Sequence, residues 1–110
     1  MTSETTTLIA ELNDLFRTTF LTGRVLMTEG VLVLPDHVQT LIVEGVQTFD
    51  AFGADNDPFG EHDFGAVTVE GHTVFWKIDY YAPDMIHGSE DPSNPAVTRR
   101  VLTIMLAREH

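Results

Sequence analysis

Apolar residues recur at helical spacing through the first twenty positions of the chain. Leu8, Leu12, Leu15, Phe16 and Phe20 alternate with Glu11, Asn13, Asp14 and Arg17, and the pattern predicts an amphipathic helix over 4–21. Ser3 is the expected N-cap, Glu4 suits the first turn, and Gly23 stands where a left-handed stop would close the helix. The period then changes. Arg24 to Leu34 is rich in Val, Leu and Met and reads as one strand, or two short ones around Glu29-Gly30. Pro35 ends it. Asp36 is expected to cap a second helix, with Gln39 three residues on, and Val38, Leu41, Ile42, Val46 and Phe49 share its buried face. Gly45 lies on that face and allows close approach to a sheet.

The rest of the chain reads as β structure. Strands are expected at about 64–69 and 72–81, joined by a tight turn at Glu70-Gly71. A last strand over 97–108 places Leu102, Ile104 and Leu106 on one face and Val101, Thr103 and Met105 on the other, the mark of burial on both sides. The order α-β-α-β-β-β implies one α+β domain over 1–110, with two helices on one face of a mostly antiparallel sheet of about four strands. The two-residue turn pairs Val69 with His72 and Val67 with Val74, so Val67, Val69, Val74, Trp76, Ile78 and Tyr80 form the core face. The same ladder run backwards places Phe64 opposite Lys77 and His62 opposite Asp79. If the second face were open, Phe64, Phe75 and Tyr81 would favour a homodimer.

Charge changes the picture more than composition does. Seventeen acids against six bases give a formal charge of −11, which disfavours direct binding to nucleic acid or to an anionic membrane and fits a basic partner, a bound cation, mimicry of a nucleic acid's charge, or solubility alone. The absence of cysteine excludes disulfides, thiolate metal sites and a cysteine nucleophile. No apolar run reaches the roughly 20 residues of a membrane span, and Met1-Thr2-Ser3-Glu4 has no signal-peptide character, so a cytoplasmic location is expected.

The densest chemistry lies in Asn56-Asp57-Pro58-Phe59-Gly60-Glu61-His62-Asp63-Phe64-Gly65. This loop and the one from Ala82 to Ala96 both meet the open end of the hairpin. Asp50, Asp55, Asp57, Glu61, Asp63, Asp79, Asp84, Glu90 and Asp91 are expected to converge there, with Arg99 and Arg100 as counter-charges. The candidate binding residues are Asp55, Asp57, Glu61, Asp84, Glu90 and Asp91, with Phe59 and Tyr81 as an aromatic rim. The alternative is a small hydrolase or transferase using His62, Asp63, Asp79 and Arg99, because a carboxylate orients an imidazole for acid–base work. Asp55-x-Asp57 with Gly60 is like the start of a calcium loop, but Phe59 and Ala66 stand where ligands are required, so no metal is assigned. No nucleophile elbow, phosphate loop or dinucleotide fingerprint is present, and no cofactor is assigned.

The runs NDPFGEHDFG, FWKIDYY and SEDPSNPAVTRRVLTIMLA, preceded by LNDLFR and GRVLMTEGV, resemble the bacterial family named domain of unknown function 3768. The resemblance spans nearly the whole chain and carries no activity with it. It implies a setting on plasmids and integrative elements. By association alone, a small acidic protein in that setting fits an anti-defence inhibitor of anti-CRISPR or anti-restriction type, which would occupy basic surface that a defence complex uses for nucleic acid.

Overall fold

The computed structural model describes residues 3–110. Helix α1 spans Glu4–Thr19, and Ser3 caps it by accepting the Thr6 N–H at 3.0 Å. The helix stops at Phe20, which takes the left-handed conformation (φ 60°) and donates its N–H to Phe16 O, so Gly23 is not the stop. Glycine is needed at 23 for another reason. A Cβ there would lie 2.6 Å from Arg100 O and 2.8 Å from the Phe16 ring, so only a bare backbone fits between helix and sheet.

Strand β1 (Arg24–Met27) is short, and the expected strand over 24–34 ends there. Glu29–Leu32 instead forms a single helical turn, α2, which buries Val31 completely. A turn this short does not hold itself. Glu109, from the far end of the chain, ties it down by accepting the Thr28 hydroxyl at 2.7 Å and the Gly30 N–H at 3.0 Å. Helix α3 (Asp36–Gln47) follows, with Pro35 in the cap position and Asp36 in the first turn. Gln39 makes no capping box; its amide donates to Leu32 O and Leu34 O and closes the α2–α3 corner. Val38, Ile42 and Val46 are buried as expected, while Leu41 is 40% exposed.

Strands β2 (Phe64–Val69) and β3 (His72–Tyr81) form the hairpin in the expected register, from Val69↔His72 to Phe64↔Lys77. Strand β4 (Arg99–Leu106) pairs antiparallel with β3 and parallel with β1, giving the mixed order β1-β4-β3-β2. The fold is α+β, with one parallel pair in an otherwise antiparallel sheet. Helices α1 and α3 cover one face, where Trp76, Phe16, Ile42, Leu102 and Ile104 make the core. Val101 and Met105, on the other face, are also buried. The chain's end folds back over that second face, with the His110 ring 5.5 Å from Phe75 and 6.1 Å from Phe64. Phe64 and Phe75 are therefore only partly exposed, and Tyr81, farther along the strand, is also half-buried.

The phase of α1 differs from the pattern reading. Its buried positions are Ile9, Ala10, Asn13, Phe16 and Arg17, while Leu8 and Leu15 are 43% and 51% exposed. Two polar residues thus point into the protein. Their partners explain why.

Candidate functional site at the open end of the hairpin

The loop between α3 and β2 is built on its own side chains. Asn56 accepts the Gly53 N–H at 2.9 Å and donates to Ala51 O at 3.0 Å, an Asx-type closure. Asp57 is buried and accepts the His62 N–H at 3.1 Å, so this expected binding residue also holds the loop. Asp55 is exposed in the turn, and Phe59 stands 80% exposed near the tip.

The paired register ends at Phe64. Asp63 O still accepts the Ile78 N–H at 2.8 Å, but His62 adopts φ 57°, and this left-handed residue turns the chain off the ladder. His62 is consequently not opposite Asp79. Its ring lies parallel to Phe52, with centroids 3.8 Å apart, and Nδ1 is 3.0 Å from both carboxylate oxygens of Asp14. Nε2 lies 3.7 Å from Asp57 Oδ2. Asp79 pairs with Lys77 instead, at 3.2 Å. The carboxylate that orients His62 thus comes from α1, a residue the sequence shows only as one of several polar positions. Its one local signal is the i,i+3 spacing to Arg17, which pairs with it at 3.1 Å.

Arg17 is 3% exposed and links this cluster to the core. Its Nη1 donates to Val46 O at 3.0 Å and Gln47 O at 3.3 Å, carbonyls of the last turn of α3. The guanidinium also lies 5.4 Å from the Phe52 ring and 5.3 Å from Trp76. Asn13, fully buried, organises a second network. It donates to Glu61 O and to the Tyr80 hydroxyl, and its Oδ1 accepts Arg100 Nε at 2.7 Å. Tyr80 donates to Glu61 Oε1 at 2.8 Å. Burial, and then that bond to Glu61, push the Tyr80 phenol well above its ordinary range, so it is a fixed donor. Burial also lowers the Arg100 pKa, opposed by Tyr80 and Glu61.

Among the described residues no cation pairs with Asp63. Its carboxyl is raised above the ordinary 3.8, first by burial and then by Glu61, with Asp57 and Asp79 adding to the effect against its own backbone hydrogen bond. Four acids therefore feel one another at this end. The other loop is a separate group. Asp84 is held by His87 at 2.7 Å and by the backbone N–H groups of Ile86 and His87, which lower its pKa, the His87 bond first. Asp91 accepts from Ser93 and, through its carbonyl, from Thr98. Glu90 is exposed, and Tyr81 pairs with Arg99 across the ladder. Among the described residues no hydrogen bond or ion pair joins Asp84, Glu90 or Asp91 to the loop around His62.

Of the residues in the catalytic alternative, His62 and Asp63 are neighbours in the chain, Asp79 belongs to Lys77, and Arg99 lies across the sheet, donating to Thr98 O. The four are not brought together. Among the described residues no group of three or more His, Asp or Glu is arranged to hold a metal ion, and no helix is long and apolar enough to cross a membrane.

No curated protein and no solved structure matches the chain. The family model described as protein of unknown function (DUF3768) matches residues 27–109, which include the loop, the hairpin and β4, and the chain belongs to that family.

Proposed function

We propose that this is a non-enzymatic binding protein whose acidic hairpin end docks on a basic protein surface of the kind used to hold nucleic acid. The observation that carries the reading is the unanswered charge around Asp63. Burial and then Glu61, with Asp57 and Asp79 adding, raise its carboxyl pKa, and among the described residues no cation pairs with it. Of six basic residues, Arg17 and Arg100 are buried inside the protein, and Lys77 is held by Asp79. Crowded carboxylates of this kind are relieved when a basic surface approaches, which favours fast, salt-sensitive association. Phe59, beside them and almost fully exposed, supplies the aromatic contact. In a mobile-element setting the partner would be a host defence complex, and the protein its inhibitor.

The enzymatic alternative would use His62, Asp63, Asp79 and Arg99 together; among the described residues Asp79 pairs with Lys77 and Arg99 donates to Thr98 O. The test is capture of partners from host lysate by the tagged protein, eluted with salt and, separately, with duplex DNA. A nucleic-acid-binding complex released by both is the expected result. A partner that resists both would contradict the proposal.

A further inference from the structure

The chain carries 17 acids and only six basic residues. A cavity of about 280 Å³ lies where α1 hands over to β1 and where β4 begins, and Arg24, Arg99 and Arg100 all line it. Half of the chain's six basic residues thus gather at one cavity. A second cavity of about 470 Å³ adjoins it, sharing Thr22, Arg99 and Arg100, and its other walls include Leu12, Leu15 and Pro95. Neither is lined by a carboxylate.

We infer that this double groove binds a phosphate monoester carrying a flat or apolar body, of which a nucleoside monophosphate is the simplest. Arg24 pairs with Val101 across the parallel ladder, so its side chain stands on the same face of the sheet as that of Arg99, two residues before Val101. Two like charges set side by side repel unless an anion lies between them. Arg100 is 5% exposed, and its guanidinium donates to Asn13 Oδ1 and Pro92 O, both neutral. Among the described residues none of the three arginines forms an ion pair with a carboxylate. The Arg100 side chain points to the α1 face, opposite to Arg24 and Arg99, and Glu61 answers its charge there, so Arg24 and Arg99 are left to hold the phosphate.

The chemistry fits a phosphate, because guanidinium forks match its oxygens and keep their charge at any working pH. Thr22 adds a hydroxyl at the boundary between the two cavities. The wall they share is preformed, since Gly23 is pressed against Arg100 O. Leu12, Leu15 and Pro95 then offer an apolar surface for the body of the ligand. The overall charge of −11 opposes any anion, but at physiological salt it is screened beyond roughly 8 Å, and Arg24 and Arg99 line the cavity itself. This inference does not rest on the docking proposal, and either can fail alone.

The experiment is a titration of the whole protein, followed by calorimetry and amide NMR, with sodium phosphate, adenosine monophosphate and adenosine at constant ionic strength. The monophosphate should bind at one site and more tightly than phosphate, and adenosine should not bind. Arg24→Gln and Arg99→Gln, both at exposed positions, should each weaken the monophosphate about tenfold while leaving Tm unchanged. Leu15→Asn should weaken the monophosphate and leave phosphate binding as it was. Absence of saturable binding by phosphate and monophosphate, or binding indifferent to both arginine substitutions, would overturn the proposal. Equal affinity for the two would overturn its apolar half.

Discussion

Replacing Asp63 by Asn should stabilise this protein at neutral pH, and the gain should disappear in acid. Asp63 is partly buried beside three carboxylates, and both burial and those neighbours raise its pKa above the unfolded value of 3.8. For an acid so shifted, the folded state holds the proton more firmly than the unfolded state. The group is therefore neutral and harmless below 3.8, and becomes a growing burden as pH rises through its folded pKa. Asn keeps the shape and removes the charge. Glu61, Asp57 and Asp79 all contribute, yet solvent reaches the group, so each repulsion is of the small size found for surface pairs. The summed gain should be about 0.5–1 kcal/mol. For a chain of 110 residues that corresponds to roughly 2–4 °C in Tm. Thermal unfolding of both proteins at pH 7 and pH 3, in low and high salt, reads the effect. Stabilisation should be largest at pH 7 and low salt, smaller in high salt, and absent at pH 3. A destabilised variant at pH 7, or a change independent of pH and salt, would refute the claim that uncompensated acids crowd this end.

Three further substitutions test the packing that holds the site. Gly65→Ala would place a Cβ 2.6 Å from Trp76 Nε1 and 2.8 Å from the Phe49 ring. Denaturant unfolding should show a loss of about 1–3 kcal/mol, and an unchanged midpoint would mean that Trp76 is not locked in place. Gly45→Ala meets only ordinary contacts with Val67, at 3.6 Å or more, and should raise stability by about 0.5–1 kcal/mol through helix propensity. Tyr80→Phe leaves Asn13 Nδ2 and Glu61 Oε1 without their shared partner and should cost about 1–3 kcal/mol by the same assay. A neutral result there would argue against the Asn13 network.

The hairpin was legible because its turn is short and its alternation regular: Glu70-Gly71 alone sets a register that holds through Phe64↔Lys77. Helix α3 and the doubly buried β4 followed from the same kind of local periodicity. The phase of α1 was not legible in this way. A hydrophobicity pattern places leucines inside, but Asn13 and Arg17 take those positions because their partners lie 29 to 87 residues away in the chain. Burial of a polar side chain depends on such partners, and no local window contains them. Helix α2 is a similar case. Its sequence reads as strand, and it is a helical turn because Glu109 reaches it from the other end of the chain. The site was half legible: the loop's acids and His62 stood out, but one left-handed residue moved that histidine from Asp79 to Asp14.

The central claim is that the acidic end binds by charge, with many small contributions. Structure separates acids that hold loops, such as Asp57 and Asp91, from Asp50, Asp55 and Glu90, which are exposed and whose side chains make no hydrogen bond among the described residues. The decisive measurement is the affinity of a purified captured partner for the wild-type protein and for the single, double and triple lysine variants at those three positions, across a range of salt. Affinity should fall in roughly equal steps as lysines are added, and each step should shrink as salt rises. Affinity that ignores all three reversals, or that has no salt dependence, would contradict the account.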